Sequence, residues 1–518
     1  METTRRHALG IMGGGVAALL MSACAGSGKT SGAGSGAQAK TGGTLKVADY
    51  LGGATDTPDP LTTVYSGSMA ACLYDRLTSF SGQTGLQPEL AESWSSSEDL
   101  KTWTFTLRKG VKFHNGADFT AKDVVHTYKR LMSPSSPPNP QTTWQNLIDE
   151  DSVVQGDDEY TVVFKLKAGA WDLPYLVSHA YGAIVPDGFT SEQLKKNPVG
   201  TGPYKYKSFV SGQKFTGTRH AGYWRTGFPK PDAIAITSVV DVAQRLNGLR
   251  SGQFNIALRL DPVGAKAVKG NPEITVAHIQ TGGFTQLNML CKGPLADARC
   301  RKAMKLAIDR PALLQSMYLG WGQVGQDHTI APNSPVNPAL PVIKRDVAQA
   351  KRLLAEAGHP DGITVDVHFV SGRSGQNMAQ FYQAQAAAAG IKINLVPTPP
   401  ATFVEGILGQ KFPMHAGQYE ERPGIALTDI IFGEWGSTKK SYALWSNAEF
   451  PALSAQARAE PDVAKRKALY VRLARLLEDD GNLIVACYEQ NVVATRGVTG
   501  FQISTLGTQP EWSTALSR

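Results

Sequence analysis

The first regular pattern in the chain is a short alternation. Leu45 and Val47 stand between Thr44, Lys46 and Ala48, which predicts a strand opening a sheet. Trp103, Phe105 and Leu107 share one face of a second strand, with Thr104 and Thr106 on the other. Gly110 permits a turn, after which Val111 and Phe113 resume the alternation. Thr120 and Asp123 form a near capping box, and Val124, Tyr128 and Leu131 follow at helical spacing. Pro137, Pro138 and Pro140 end that helix, and Tyr160, Val162, Phe164 and Leu166 form another strand. Further on, Asp346 caps a helix whose inner stripe is Val347, Ala350, Leu354 and Ala357, stopped by Gly358 and Pro360. Ile363, Val365, Val367 and Phe369 then alternate, so helix and strand follow one another as in α/β units. A late helix is expected from Asp462 to Asp479, with Ala464, Ala468, Val471 and Leu473 to Leu477 inward, followed by a buried strand from Leu483 to Tyr488. No internal repeat is evident.

Composition narrows this α/β reading. The 518 residues suffice for several domains, and 42% hydrophobic with 19% charged residues excludes a mainly disordered chain or a coiled coil. Five cysteines are too few for a disulfide scaffold. The net charge is +8, or +7 once Glu2, Arg5 and Arg6 are set aside, and it is spread over helices such as 299–305 and 465–475. No aromatic-basic patch accompanies it, so nucleic acid is not an expected partner. A basic surface near anionic lipid is the plainer account.

One apolar stretch, Ala8 to Ala23, follows Arg5 and Arg6 and is too short and Gly-rich for a spanning helix. It ends in Met21-Ser22-Ala23-Cys24, which resembles a bacterial lipobox, in which the Cys accepts lipid and becomes the first mature residue. Thr4-Arg5-Arg6-His7-Ala8-Leu9 also resembles a twin-arginine export signal, and a Sec-type basic flank reads equally well. Residues 1–23 are thus an export signal. Residues 24–43 are a lipidated Cys and a Gly/Ser-rich tether that cannot repay the entropy of ordering. The expected location is the outer face of the cell membrane. Ala23 to Thr30 falls one residue short of a P-loop and lacks the strand and helix such a loop requires.

Four stretches resemble the extracellular solute-binding proteins, family 5, of ATP-driven importers for peptides and nickel. They are Leu90–Trp94 running through Trp103–Gly116 into Phe119–Val125; Pro198–Tyr204 with Tyr223-Trp224; Arg299–Ala303 with Ala307–Arg310; and Ala350–Gly358. Most of these residues are core or turn residues, Gly200 and Gly202 allowing a sharp turn before Pro203. The resemblance implies an α/β fold of the periplasmic-binding-protein-like type II class, two lobes with a hinge and an extra small domain. Residues 44–84, 200–285 and 491–518 would build lobe I, 85–199 the extra domain and 286–490 lobe II. It implies a monomeric binding protein, not an enzyme, that closes on a peptide or other small solute and hands it to a permease and ATPase complex, with no cofactor and no resident metal.

In peptide-binding members a lobe II carboxylate after a Gly-Trp pair holds the peptide amine. The matching segment here, Met414 to Gly424, has Gln418 where Trp is usual and no Asp at the usual place. Glu421 falls closest to that role and Glu420 next. Gln418, Tyr419, Glu420, Glu421 and Arg422 are therefore ligand-binding candidates, together with Tyr65 and Trp435 from family position. The departure opens oligosaccharide and nickel-chelate alternatives, His415 being a fair nickel ligand. A receptor that signals without transport is a further alternative. An exported hydrolase lacks support, since no G-x-S-x-G or zincin pattern occurs. Cys291 and Cys300 flank a Gly-Pro turn and are a candidate disulfide, and Cys72 and Cys487 sit in apolar settings.

Overall fold

The computed structural model describes residues 39–51, 56–62, 67–81, 85–137, 144–145, 147–419, 443–503 and 514–517. Its centre is an eleven-stranded sheet. From one edge the order is Ile391–Pro397, Ile363–Phe369, Met414–Tyr419, Ile274–Met289, Leu483–Arg496, Ile256–Ala257, Thr44–Asp49, Ala233–Ser238, Lys214–Arg219 and Tyr204–Val210, with Gln323–Val324 added beside Leu483–Arg496. The two middle strands are the longest, at 16 and 14 residues, and run antiparallel. Their register shifts between Gln280 and Phe284 and again between Thr285 and Gln286. On one side of the breaks Ile279 and Val493 join the apolar cluster of Leu45, Val47, Ile234 and Ile236. On the other side Leu287, Met289 and Ile484 join that of Val365, Val367, Met378 and Met414. The strand expected to end near Tyr488 continues to Arg496, because its far half pairs with Ile274–Gln280.

The alternating segments form strands as their periodicity requires. Ile363–Phe369 and Ile391–Pro397 pair in parallel, joined by the helix Ser374–Ala386, with Val347–Glu356 leading in. Asp346 caps that leading helix by accepting from the Gln349 amide at 2.8 Å. Gly358 takes φ +89° just beyond its end, a conformation that favours glycine. In residues 463–480 the inward stripe is Arg466, Tyr470, Leu473, Ala474 and Leu477. Ala464 and Ala468, expected inside, are exposed. Tyr470 decides the rotation of this helix, since it packs edge-on against Trp171 at 6.3 Å.

A separate four-stranded sheet runs Ala91–Ser96, Thr102–Leu107, Thr161–Lys165, Val153–Gln155. The helix Ala121–Met132 has a complete Thr120–Asp123 capping box and seats Tyr128 on Phe164, with ring centroids 4.9 Å apart. This apolar cluster is continuous with the helices Phe450–Ala459 and Val463–Asp480. Between them Arg458 Nε donates to buried Asp172 at 2.9 Å, and the Arg466 guanidinium lies 4.4 Å from the Trp171 ring.

Two motif glycines act by close approach. A Cβ on Gly200 would stand 2.0 Å from the Leu73 carbonyl oxygen, and one on Gly202 would stand 2.5 Å from the Leu73 carbonyl carbon. Neither takes a positive φ among the described residues, so packing rather than a sharp turn demands them. Thr201 between them donates to buried Asp75 at 2.9 Å, and Asp75 also accepts from Tyr223 at 3.1 Å and Trp224 at 3.0 Å. His114 Nε2 meets the Gly202 carbonyl at 2.9 Å while the Gly200 amide donates to His114 Nδ1 at 3.3 Å. The first two signature stretches are thus stitched to one another by side chains.

The expected disulfide is not formed: Cys291 and Cys300 are both free thiols. Cys300 faces inward from the helix Ala298–Leu306, among Ala303 and Met304. Cys291 packs against the cluster of Trp445 and Ala443, its amide donating to the Ala443 carbonyl at 2.7 Å. The intervening 3-10 turn Gly293–Ala296 sends the two into different cores.

Candidate functional site

Gln418 and Tyr419 end the strand Met414–Tyr419, which pairs with the first long strand so that Thr285 faces Gln418 and Phe284 faces Tyr419. Side chains alternate across a strand, so each pair shares one face. On the first face Thr285 also stands opposite Cys487, and Glu489, two residues further along, points the same way. The register shift beside Thr285 sets this alignment. On the other face the Phe284 and Tyr419 rings stack at 5.8 Å and 14°, and Tyr488 meets Phe284 edge-on at 6.0 Å.

Glu489 gathers the first face. It is only 8% exposed. Its Oε1 accepts from Thr285 Oγ1 and from the Tyr318 hydroxyl at 2.7 Å, and its Oε2 accepts from Gln418 Nε2. Thr285 Oγ1 and the Tyr318 hydroxyl lie 2.6 Å apart as they converge. Burial, reinforced by the Glu489 carboxylate, pushes the Tyr318 phenol well above its ordinary value, so it stays a donor. Hydrogen bonds to an ionised group each contribute roughly 1.5–3 kcal/mol, which is ample to hold a buried carboxylate in one orientation. The Glu489 backbone carbonyl accepts from Thr281 Oγ1 at 2.8 Å and Gln280 Nε2 at 3.1 Å, where the register breaks. Gln418 itself is exposed and its Oε1 accepts from Ser374 Oγ at 3.2 Å, at the start of the helix Ser374–Ala386. This leaves an amide on the outside, a carboxylate beneath it and an aromatic stack behind.

A family model, described as bacterial extracellular solute-binding proteins, family 5 middle, matches residues 85–428. The chain belongs to this family. The glutathione-binding protein GsiB of Escherichia coli strain K12 is 27% identical over 521 residues, covering 96% of each chain. Di/tripeptide-binding protein 1 of Pseudomonas aeruginosa is 25% identical over 442 residues, covering 79% of this chain and 82% of its own. Among solved structures, the substrate-binding protein CtaP of Listeria monocytogenes superposes with a TM-score of 0.81 at 21% identity, covering 92% of this chain and 100% of that one. DppA of Helicobacter pylori in complex with the peptide STSA gives 0.79 at 22%, covering 92% and 99%. The fold is accordingly the two-lobed type II binding-protein fold, and the family is one of solute-binding proteins rather than enzymes.

Of the family 5 candidates named from sequence, Gln418 and Tyr419 fall together here, on opposite faces of one strand end. Tyr65, Glu420, Glu421, Arg422, Trp435 and Cys24 lie outside the described residues. His415 lies further down the strand, beside His368 in register and edge-on to Phe403 at 5.8 Å. Burial pulls its imidazole down to about 4. Thr285, Tyr318 and Glu489 were not singled out by motif. The available signal was Glu489 itself, an acidic residue directly after the apolar run Leu483–Tyr488, where a charge needs a partner.

Proposed function

We propose that this chain is the substrate-binding lipoprotein of an ABC importer, capturing a peptide or peptide-like solute between its lobes and delivering it by hinge closure. The observation that supports the reading is the exposed Gln418 amide at the end of a sheet strand, held from beneath by the buried Glu489 carboxylate. An exposed amide suits peptide N–H and C=O groups. The peptide relatives support the same ligand class. The two long strands serve as the hinge in this reading, since among the described residues they alone carry sheet pairing across both apolar halves. Glu421 and Glu420, with Arg422, Tyr65 and Trp435, complete the proposed ligand set. The lobe boundaries stay as 44–84, 200–285 and 491–518 for lobe I, 85–199 for the extra domain and 286–490 for lobe II. Lipid on Cys24 would hold the monomer at the outer face of the cell membrane through the tether expected at 25–43, whose end is fastened to the body where Ala39–Lys40 pairs with Ala515–Ser517.

The test is thermal unfolding of the full chain against dipeptides, tripeptides, glutathione and glycosides. A rise in melting temperature with peptides is expected, since a ligand that binds only the folded state stabilises it. No shift with any peptide and a clear shift with glycosides would overturn the peptide class. Cys24→Ser is expected to move the protein from the membrane to the soluble fraction, and membrane retention would refute the anchor.

A further inference from the structure

We propose that Glu489 is a positioning residue that ties Gln418, at the ligand site, to the point where the two long strands change register. The proposal rests on the ligand and hinge reading above. Three features carry it. The Glu489 side chain takes donors from three separate elements: Thr285 on the first long strand, Tyr318 on the helix Arg310–Tyr318, and Gln418 on the strand Met414–Tyr419. Its main-chain oxygen is held by Thr281 and Gln280, inside the register break. Thr281 Oγ1 in turn accepts from the Gly283 amide at 3.1 Å, so the same hydroxyl shapes the Thr281-Gly282-Gly283 bend and grips Glu489.

The connection is therefore continuous: Gln418 amide, Glu489 carboxylate, Glu489 carbonyl, Thr281 hydroxyl, Gly283 amide. A ligand that draws the Gln418 amide toward itself alters one of the bonds that orients Glu489. Reorientation of Glu489 shifts its carbonyl relative to Thr281, and glycines at 282 and 283 leave that bend able to take up the change. Glu489 need not touch the ligand. It sets where Gln418 sits and transmits whether Gln418 is engaged.

The experiment uses the full chain without ligand first. Native-state hydrogen exchange is followed at 280–284 and at 414–419 in the wild type, Gln418→Ala, Tyr318→Phe and Glu489→Gln. Asn394→Ala, which removes a hydrogen bond donated by the side-chain amide to Asp366 at the far sheet edge, is the control. Gln418→Ala is expected to accelerate exchange at 280–284 at least tenfold although it alters a different strand, and Asn394→Ala to leave that segment unchanged. Acceleration confined to 414–419 would overturn the proposal. If Glu489→Gln fails to fold, Gln418→Ala and Tyr318→Phe decide the same question. The second arm titrates the dipeptide Ala-Ala. Glu489→Gln is expected to weaken binding at least tenfold, and Gln418→Ala/Glu489→Gln to bind no worse than Gln418→Ala alone. Additive losses would mean that Glu489 does not act through Gln418 and would overturn the proposal. If Ala-Ala and every other peptide leave the wild type unshifted, the peptide reading fails, and the exchange arm alone judges the connection.

Discussion

Replacing His114 with Ala should cost stability at neutral pH and cost much less in acid. The His114 ring clamps the Gly200–Gly202 backbone from both nitrogens, Nδ1 accepting from the Gly200 amide and Nε2 donating to the Gly202 carbonyl. Only the neutral Nε2–H tautomer can do both. His220 Nδ1 reaches the same Gly202 carbonyl at 3.2 Å, its ring edge-on to His114 at 5.0 Å. Burial, opposed by the Gly202 bond and aided by His220 and Lys205, takes His114 from its ordinary 6.5 to about 3. Between those values the unfolded chain binds a proton that the folded chain refuses, so stability is complete above 6.5 and falls as the pH drops toward 3. Going from neutral pH to pH 5 removes about 2 kcal/mol from the wild type through this group alone. His114→Ala loses two hydrogen bonds, about 2–3 kcal/mol at pH 7.5, and also loses the linkage. The wild-type advantage measured by urea unfolding should therefore shrink by about 2 kcal/mol between pH 7.5 and pH 5. An equal advantage at both values would refute the assignment of a neutral, clamping His114.

Gly200→Ala should be more damaging than His114→Ala, because its Cβ meets the Leu73 backbone, which cannot move aside; soluble yield and melting temperature report it, and an unchanged melting temperature would remove the close-approach argument. Asp172→Ala should cost about 3–5 kcal/mol by leaving Arg458 buried without this carboxylate, read as a lower urea midpoint, whereas a change under about 1 kcal/mol would show that the pair is dispensable. Alkylation of the urea-unfolded chain without reductant should modify Cys72, Cys291, Cys300 and Cys487, and mass spectrometry finding Cys291 and Cys300 unmodified would restore the disulfide.

Much of the fold was legible because local signals agreed with one another. Trp103, Phe105 and Leu107 alternate and are all buried; the spacing of Thr120 and Asp123 predicts a cap, and the two form one. Structure departs from local signal where a distant partner decides. The late helix turned Ala464 and Ala468 outward because Arg466 and Tyr470 answer to Trp171 on another segment. The strand after Leu483 doubled in length because its continuation found Ile274–Gln280 to pair with. Spacing suggested a bridge between Cys291 and Cys300, but direction, set by the turn between them, separated the thiols.

The site divides in the same way. Motif comparison led to Gln418 and Tyr419, because the departure from the usual Gly-Trp pair is local and visible. Nothing local joins Gln418 to Glu489, 71 positions away, or Thr285 to Tyr318. By itself the sequence determined the strands, the caps, the family and the strand that ends at the site. The tertiary structure alone decided which face each side chain of that strand presents and which carboxylate lies beneath it. The reason is register: with a side-chain period of two, the shift beside Thr285 aligns Glu489 with Gln418, and a pairing offset by one residue would have turned it to the other face.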